Sequence, residues 1–193
     1  MRAFFCIELD DPIKDGLNGL IQALKRERAL QAARVSWVKR ENLHVTVKFL
    51  GEIAEEQLEE LKLVAQAAWA GMGGKPFSLG LDRLGAFPSP ARPRVIWAGS
   101  SAPPQEIIKL YEQLERELEP LGFPPEGKPY TPHVTLGRVK GGAGAGGLAG
   151  VRLPPFHFIA EARGLTLMES QLDPAGAIYR PLFRLGPGPG GAL

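Results

Sequence analysis

The sequence predicts an α+β fold of two lobes related by a pseudo-twofold axis, each with an antiparallel-rich sheet and outer helices, flanking a central cleft. Two observations predict it. Stretches with apolar residues at helical spacing alternate with short strand patterns, and His-Val-Thr occurs twice within a similar order of elements. The similar units lie around residues 2–51 and 94–139. We therefore expect a single bilobal domain over residues 1–185 and a flexible Gly- and Pro-rich tail over residues 186–193.

The first unit is predicted to begin with a strand and a helix. Residues 3–9 form an apolar run that is typical of a buried strand. Asp11 and Pro12 are typical of a helix start, and apolar residues at helical spacing continue to about Glu27. A second helix is predicted over residues 55–72, where two glutamates precede an apolar stripe and glycines follow it.

The second unit is predicted to follow a similar plan. Pro103 and Pro104 precede a helix whose apolar side chains recur at helical spacing until Pro120. Residues 141–150 consist mainly of glycine and alanine, so we expect a mobile surface loop there. Short apolar or alternating runs predict further strands at residues 35–39, 77–81, 94–98, 156–159, 164–168 and 178–185.

Two predicted strands, at residues 43–50 and 133–139, alternate between apolar and polar side chains. The first alternation places on one face His44, Thr46 and Lys48, and on the other Val45, Val47 and Phe49. The second separates two further sets, His133, Thr135 and Gly137 from Val134, Leu136 and Arg138. We expect the valines and the leucine to face the core. The two histidines and two threonines would then point into one cleft.

Composition limits the classes of protein. The chain has 193 residues, 44% of them hydrophobic and 23% charged, which is typical of a soluble globular protein and excludes a disordered chain. Its net charge of +2 is too small to hold nucleic acid by bulk charge. There is no apolar run long enough to span a bilayer, no sign of a signal peptide and a single cysteine, Cys6. We therefore expect a cytoplasmic protein without disulfides.

Paired histidines and threonines suit the cleavage of a phosphodiester. In-line displacement needs a base that activates the nucleophile and an acid that protonates the leaving oxygen, and histidine can do either near neutral pH. Threonine hydroxyls can donate to phosphoryl oxygens, where negative charge develops. A lone His-x-Thr usually has no role, but two of the three histidines lie in near-identical motifs. The third, His157, has no threonine two residues on and is assigned a structural or surface role.

Other kinds of active site fit the sequence less well. A zinc site needs three or four His, Cys or carboxylate ligands, and the sequence has no His-x-His, no His-Glu-x-x-His and no cysteine cluster. A serine nucleophile on a strained turn is not indicated, because Gly-x-Ser-x-Gly is absent. We therefore expect neither a metal nor a cofactor.

The two motifs and the residues around them carry a family resemblance. The matching stretches are residues 2–7, 37–39 with 42–51, 87–88 with 94–97, 132–138 and 169–170. On these residues the chain resembles the 2H phosphoesterase superfamily, and within it the RNA 2′,3′-cyclic phosphodiesterases, historically named 2′-5′ RNA ligases. The stretches span most of the chain. The Gly-rich loop and the tail depart from the family pattern.

The resemblance implies a role for each motif residue. His44 is expected to be the general acid, or proton donor, and His133 the general base, or proton acceptor. The near-symmetry of the motifs leaves acid and base indistinguishable from the residues themselves, so this assignment comes from the resemblance alone. Phe49 is expected to contact the nucleotide. The residues expected to bind the phosphate are Thr46, Thr135 and Arg138.

Basic residues near the motifs are candidates for contacts to RNA. Strict alternation turns Arg138 away from His133, so a bulge or the strand end at Gly137 must re-aim it toward a phosphate. The candidates for contacts to the RNA backbone are Lys48, Arg92, Arg94 and Lys128.

The resemblance implies metal-independent hydrolysis of RNA 2′,3′-cyclic phosphate ends to 2′-phosphates. Two alternatives use the same site: ATP-independent 2′-5′ ligation of RNA halves, and binding of a nucleotide or RNA without catalysis. The implied partners are RNA ends or oligonucleotides with a 2′,3′-cyclic phosphate, with no metal and no membrane. Because one chain supplies both halves of the site, we expect a monomer.

Overall fold

A computed structural model describes residues 1–31, 33–140, 147–174 and 176–188 of the chain. The α-helices in these ranges are α1 (Asp11–Arg26), α2 (Arg28–Gln31), α3 (Leu58–Gly71) and α4 (Gln105–Leu118). The strands are β1 (Arg2–Glu8), β2 (Val35–Trp37), β3 (His44–Glu52), β4 (Phe77–Leu81), β5 (Arg83–Ser89), β6 (Arg92–Gly99), β7 (His133–Val139), β8 (Phe158–Ala162), β9 (Leu165–Gln171) and β10 (Ile178–Leu185). The three predicted helices are present as α1, α3 and α4.

The strands form one large antiparallel sheet and one small sheet, which confirms the α+β class. The large sheet has the order β10-β9-β1-β3-β7-β6-β5, with β2 also paired to β7, and β4 pairs with β8 in the small sheet. The two halves of the chain therefore share one sheet, whereas the sequence predicted one sheet for each half. They meet at a single pair, Val45 with Val134. This pairing satisfies backbone groups that two separate sheet edges would leave open.

The two faces of the large sheet have different surroundings. One face packs against α1, α3 and α4 and forms the hydrophobic core. Four apolar residues of the motif strands are buried in it, as predicted: Val45, Val47, Val134 and Leu136. Because neighbouring residues of a strand point to opposite faces, His44 and His133 project from the other face. This other face is called the open face below.

Sequence reasoning missed β5, which contains Gly85 and Pro88, two residue types that weaken a strand prediction. β5 is the edge strand of the large sheet, where proline is tolerated. Gly85 pairs with Trp97 of β6, and a Cβ at position 85 would lie 2.2 Å from the indole ring. The glycine thus makes room for a large side chain on the neighbouring strand.

The predicted mobile loop and the flexible tail fall largely outside the described residues. At the end of the loop, Leu148–Gly150 form one turn of 3-10 helix, and the Leu148 amide donates to the carbonyl oxygen of Pro90 at 2.8 Å. Within the described ranges, we find no helix with the length and apolar character needed to cross a membrane.

Candidate active site

The pairing of β3 with β7 brings the two motifs together. Val45 and Val134, the central residues of the two His-Val-Thr motifs, are direct antiparallel partners. In this register each histidine lies opposite the threonine of the other motif. The flanking side chains of both strands project from the open face. The residues that this pairing brings together are His44, Thr46, His133 and Thr135.

A backbone carbonyl fixes the tautomer of each histidine. Nδ1 of His44 lies 2.7 Å from the carbonyl oxygen of Asn42, and Nδ1 of His133 lies 2.7 Å from that of Thr131. Because a carbonyl oxygen only accepts, Nδ1 carries the hydrogen in both rings. Nε2 of each neutral ring is therefore unprotonated. The hydroxyl of Thr46 donates to Nε2 of His44 at 2.9 Å.

Two aromatic rings that sequence reasoning did not single out hold His44. Phe4 of β1 stacks on it with ring centroids 4.8 Å apart, and Tyr179 of β10 meets it edge-on at 5.2 Å. Phe4 and Tyr179 also contact each other, at 5.1 Å. Both side chains come from strands outside the motif, so the motif itself carried no signal for them.

Phe87 and Trp97 hold His133 in a comparable way. Phe87 of β5 meets the imidazole edge-on at 5.0 Å, and Trp97 of β6 lies 5.9 Å from it. Trp97 is only 4% exposed. The guanidinium of Arg83 lies over its ring at 5.7 Å. The positions of both histidines are thus set by packing as well as by hydrogen bonds.

A bulge in β3 reverses the predicted alternation after Thr46. The register between β1 and β3 slips by one residue at this point. Phe49, which alternation placed on the core face, turns to the open face and is 57% exposed. Lys48, which alternation placed beside the motif, turns into the core and is 2% exposed. The prediction of an RNA contact by Lys48 is therefore wrong.

β7 has a bulge at the equivalent place. Thr135 pairs with Trp97 but Gly137 pairs with the preceding residue, Ile96, so the register slips by one residue. The bulge turns Arg138 to the open face, which confirms the prediction that a bulge re-aims it. Phe49 and Arg138 hold the same position in the two motifs, and the paired bulges present one aromatic and one cationic side chain on the open face.

Lys48 connects β3, through an ion pair and a hydrogen bond, to α4 and to the segment that precedes β7. Its ammonium lies 2.5 Å from Oε1 of Glu115 on α4 and donates to the carbonyl oxygen of Pro124 at 2.9 Å. Tyr130 donates its hydroxyl hydrogen to the backbone carbonyl of Thr46 at 2.9 Å. These contacts link the strand of the first motif to the chain just before the second.

The other three residues predicted to contact RNA, Arg92, Arg94 and Lys128, are exposed. Arg94 lies in a bulge of β6, because Val95 pairs with Phe87 and Pro93 pairs with Pro88. Past this bulge, Arg92 pairs with Ser89 at the end of β5. Lys128 is exposed in the segment that precedes β7.

Burial and nearby positive charge favour the neutral form of both histidines. Burial, followed by the charges of His133, Lys14 and Arg138, lowers the pKa of His44 to about 4. Burial and the charge of Arg138 lower the pKa of His133 from its ordinary value of 6.5. The charge of Arg138 thus lowers the pKa of both histidines.

The described residues give little support to a metal site or to a nucleophilic cysteine. Across the described part of the chain, no group of three His, Cys, Asp or Glu side chains is arranged to hold a metal ion. Cys6 is buried, and burial raises the pKa of its thiol, which favours the unreactive protonated form.

Sequence comparisons give matches over most of the chain. The family model described as LigT like Phosphoesterase matches residues 7–97 and 99–179. An RNA 2′,3′-cyclic phosphodiesterase of Methanothermobacter thermautotrophicus is 33% identical over 197 residues, covering 96% of this chain and 99% of that protein.

Solved structures give matches of the same extent. A crystal structure of a Thermus thermophilus protein has a TM-score of 0.76 at 28% identity, covering 99% of this chain and 100% of that one. The crystal structure of Escherichia coli LigT complexed with 3′-AMP has a TM-score of 0.72 at 28% identity, covering 96% and 97% of the two chains.

Proposed function

Because the chain belongs to the LigT-like phosphoesterase family, we propose that it hydrolyses 2′,3′-cyclic phosphate ends of RNA to 2′-phosphates without a metal ion. The observation that carries this proposal is the pair of unprotonated imidazole Nε2 atoms, one from each motif, on one face of the sheet. The name of the Methanothermobacter relative, an RNA 2′,3′-cyclic phosphodiesterase, supports the choice of substrate.

In the proposed reaction each histidine moves one proton. Nε2 of His133 takes a proton from water as the water oxygen attacks phosphorus. The bond between phosphorus and O3′ breaks, and protonated His44 gives its Nε2 proton to O3′. The product has a phosphate on O2′ and a free 3′-hydroxyl. Proton exchange with solvent then returns both rings to their starting states.

The lowered pKa of His44 is consistent with its role as the general acid. An imidazolium with a pKa of about 4 is a strong acid toward the leaving oxygen, which suits His44. The negative charge of a bound phosphate raises the pKa of nearby histidines and so favours the protonated form that the acid needs. Substrate binding and protonation of His44 therefore support each other.

Protonation of His44 also changes the role of Thr46. While Nε2 is neutral, the hydroxyl hydrogen of Thr46 is committed to it. Once Nε2 carries a proton it becomes the donor, and the hydroxyl hydrogen is released for a phosphoryl oxygen. Thr135 and Arg138 supply further donors to the phosphate. The exposed ring of Phe49 offers a stacking surface to a nucleobase.

The proposed reaction is tested by incubating the protein with an oligonucleotide that ends in a 2′,3′-cyclic phosphate, in the presence of EDTA. We expect turnover to a 2′-phosphate, with no 3′-phosphate product. Loss of turnover in EDTA that added metal restores would contradict the metal-independent mechanism. Adding an RNA half with a 5′-hydroxyl end to the same assay detects 2′-5′ ligation as a longer product.

The lowered pKa values predict an acid-shifted pH profile. The free enzyme needs one protonated and one neutral histidine, and the pKa of each lies below 6.5. We therefore expect kcat/KM to be highest below pH 6.5 and to fall at higher pH, as the protonated fraction decreases. Arg138→Gln removes a positive charge, so both pKa values should rise and the alkaline fall should move to higher pH. Steady-state kinetics from about pH 4 to about pH 9 check both expectations, and a wild-type maximum above about pH 7 would contradict them.

A further inference from the structure

The strands of the second half of the large sheet contain no acidic residue. None of β2, β5, β6 and β7 includes Asp or Glu. These strands and the residues that flank them carry one acidic side chain, Asp82, and six cationic ones: Arg34, Arg83, Arg92, Arg94, Arg138 and Lys140. The sheet of a nearly neutral protein is therefore strongly basic in one half.

Charges in the first half of the same sheet are paired instead. Arg2 of β1 lies 3.9 Å from Glu52 of β3. Arg184 of β10 lies 2.7 Å from Glu8 of β1. Among the described residues, the ion pairs include none of the six cations of the second half. Structural ion pairing thus accounts for three of the four basic residues in the strands of the first half, Arg180 being the exception, and for none of the six cations of the second.

The strand register places three of the six cations in one group on the open face. Ser36 of β2 pairs with Arg138 of β7. Two residues along this ladder, the Lys140 amide donates to the carbonyl oxygen of Arg34 at 2.7 Å. Side chains two residues apart on a strand share a face, so Arg34 and Lys140 project on the same side as Arg138. Arg34, Ser36, Arg138 and Lys140 are all exposed, and they are called the basic face below.

We propose that the basic face binds the RNA chain upstream of the reacting end, with Lys140 and Arg34 contacting backbone phosphates on its 5′ side. This inference rests on the proposed function, because it takes Arg138 to lie beside the reacting phosphate. Side chains two residues apart on a strand are about 6.5–7 Å apart, so Lys140, with Arg34 beside it on the neighbouring strand, lies about that far beyond Arg138. The substrate is then an oligonucleotide rather than a cyclic mononucleotide.

Calorimetry with 2′-phosphate-ended RNA tests the basic face without requiring turnover. The ligands are a uridine mononucleotide and a uridine hexanucleotide, each ending in a 2′-phosphate. For the wild type, we expect the hexanucleotide to bind at least about tenfold more tightly than the mononucleotide. In Arg34→Gln/Lys140→Gln this ratio should fall to about two or less, because two phosphate contacts are lost. The plot of log affinity for the hexanucleotide against log salt concentration has a negative slope, which should become less steep by about 1.4 in the double variant.

Lys109→Gln/Arg116→Gln is the matched control, because it removes two exposed cations from α4, the helix that packs on the opposite face of the sheet. It should leave the ratio of affinities unchanged. A wild-type ratio in Arg34→Gln/Lys140→Gln would overturn the proposal, and so would an equal loss in the control, which would indicate bulk charge. If the wild type binds with the expected length dependence but does not hydrolyse cyclic phosphate ends, the proposed function fails and the basic face stands as an RNA-binding surface.

Discussion

Replacement of either motif histidine by alanine should lower kcat for a 2′,3′-cyclic phosphate end by about 10²–10⁴-fold. His44 and His133 each carry out one proton transfer. Among the described side chains, Thr46 hydrogen-bonds to Nε2 of His44, but its hydroxyl is a very weak acid and cannot replace the imidazole. Rates of product formation at saturating oligonucleotide measure the effect. Full turnover in both single variants would exclude the mechanism.

A second substrate separates the acid from the base. In an aryl phosphodiester the leaving group is nitrophenolate, which departs without being protonated. Hydrolysis of this substrate therefore needs the base but not the acid. On this ester His44→Ala should lose less than about tenfold, while His133→Ala keeps its full defect. The opposite pattern would exchange the two roles. His157→Ala is the matched control, because His157 is exposed and lies outside both motifs, and it should retain wild-type rates on both substrates.

Replacement of Lys48 by methionine should lower the free energy of unfolding by about 3–5 kcal/mol. Lys48 is 2% exposed and its partner Glu115 is 13% exposed, so the variant leaves a carboxylate with little solvent and no cation. The carbonyl of Pro124 loses its donor at the same time. Urea unfolding of the variant and the wild type measures the difference.

A double variant shows whether the cost comes from the unpaired charge. Lys48→Met/Glu115→Leu replaces both partners by apolar side chains and should recover most of the lost stability. Lys62 is the control, because its pair with Glu59 spans 3.8 Å on the surface of α3. Lys62→Met should change stability by less than about 0.5 kcal/mol. A single Lys48 variant as stable as the wild type would show that the buried pair contributes nothing.

The helices and the motif strands could be predicted because local pattern decides them. Apolar spacing and an N-terminal proline predict α1 over the residues where it occurs. Alternation predicts β7 over residues 133–139, as observed. β5 could not be predicted in this way. Its glycine and proline are tolerated only because it is an edge strand beside Trp97, and both conditions depend on distant parts of the chain.

Some residues of the candidate site could likewise be predicted from the sequence, and others could not. Two histidines in matching motifs could be found from the sequence, because each motif is local and recurs. The aromatic rings around them could not, since Phe4 and Tyr179 come from strands at opposite ends of the chain. Arg34 was also missed, because only its pairing beside Lys140 shows that it shares a face with Arg138.

The fold class, the two motif strands and the core position of their apolar residues could be predicted from the sequence, because each follows from the periodicity of neighbouring residues. The burial of Lys48 and the exposure of Phe49 could not be predicted in this way. The reason is the bulge in β3, which arises where the strand registers against β1. A slip of one residue reverses the side chains that follow it up to the next slip, here at Leu50, and the slip depends on a partner strand about forty residues away in sequence.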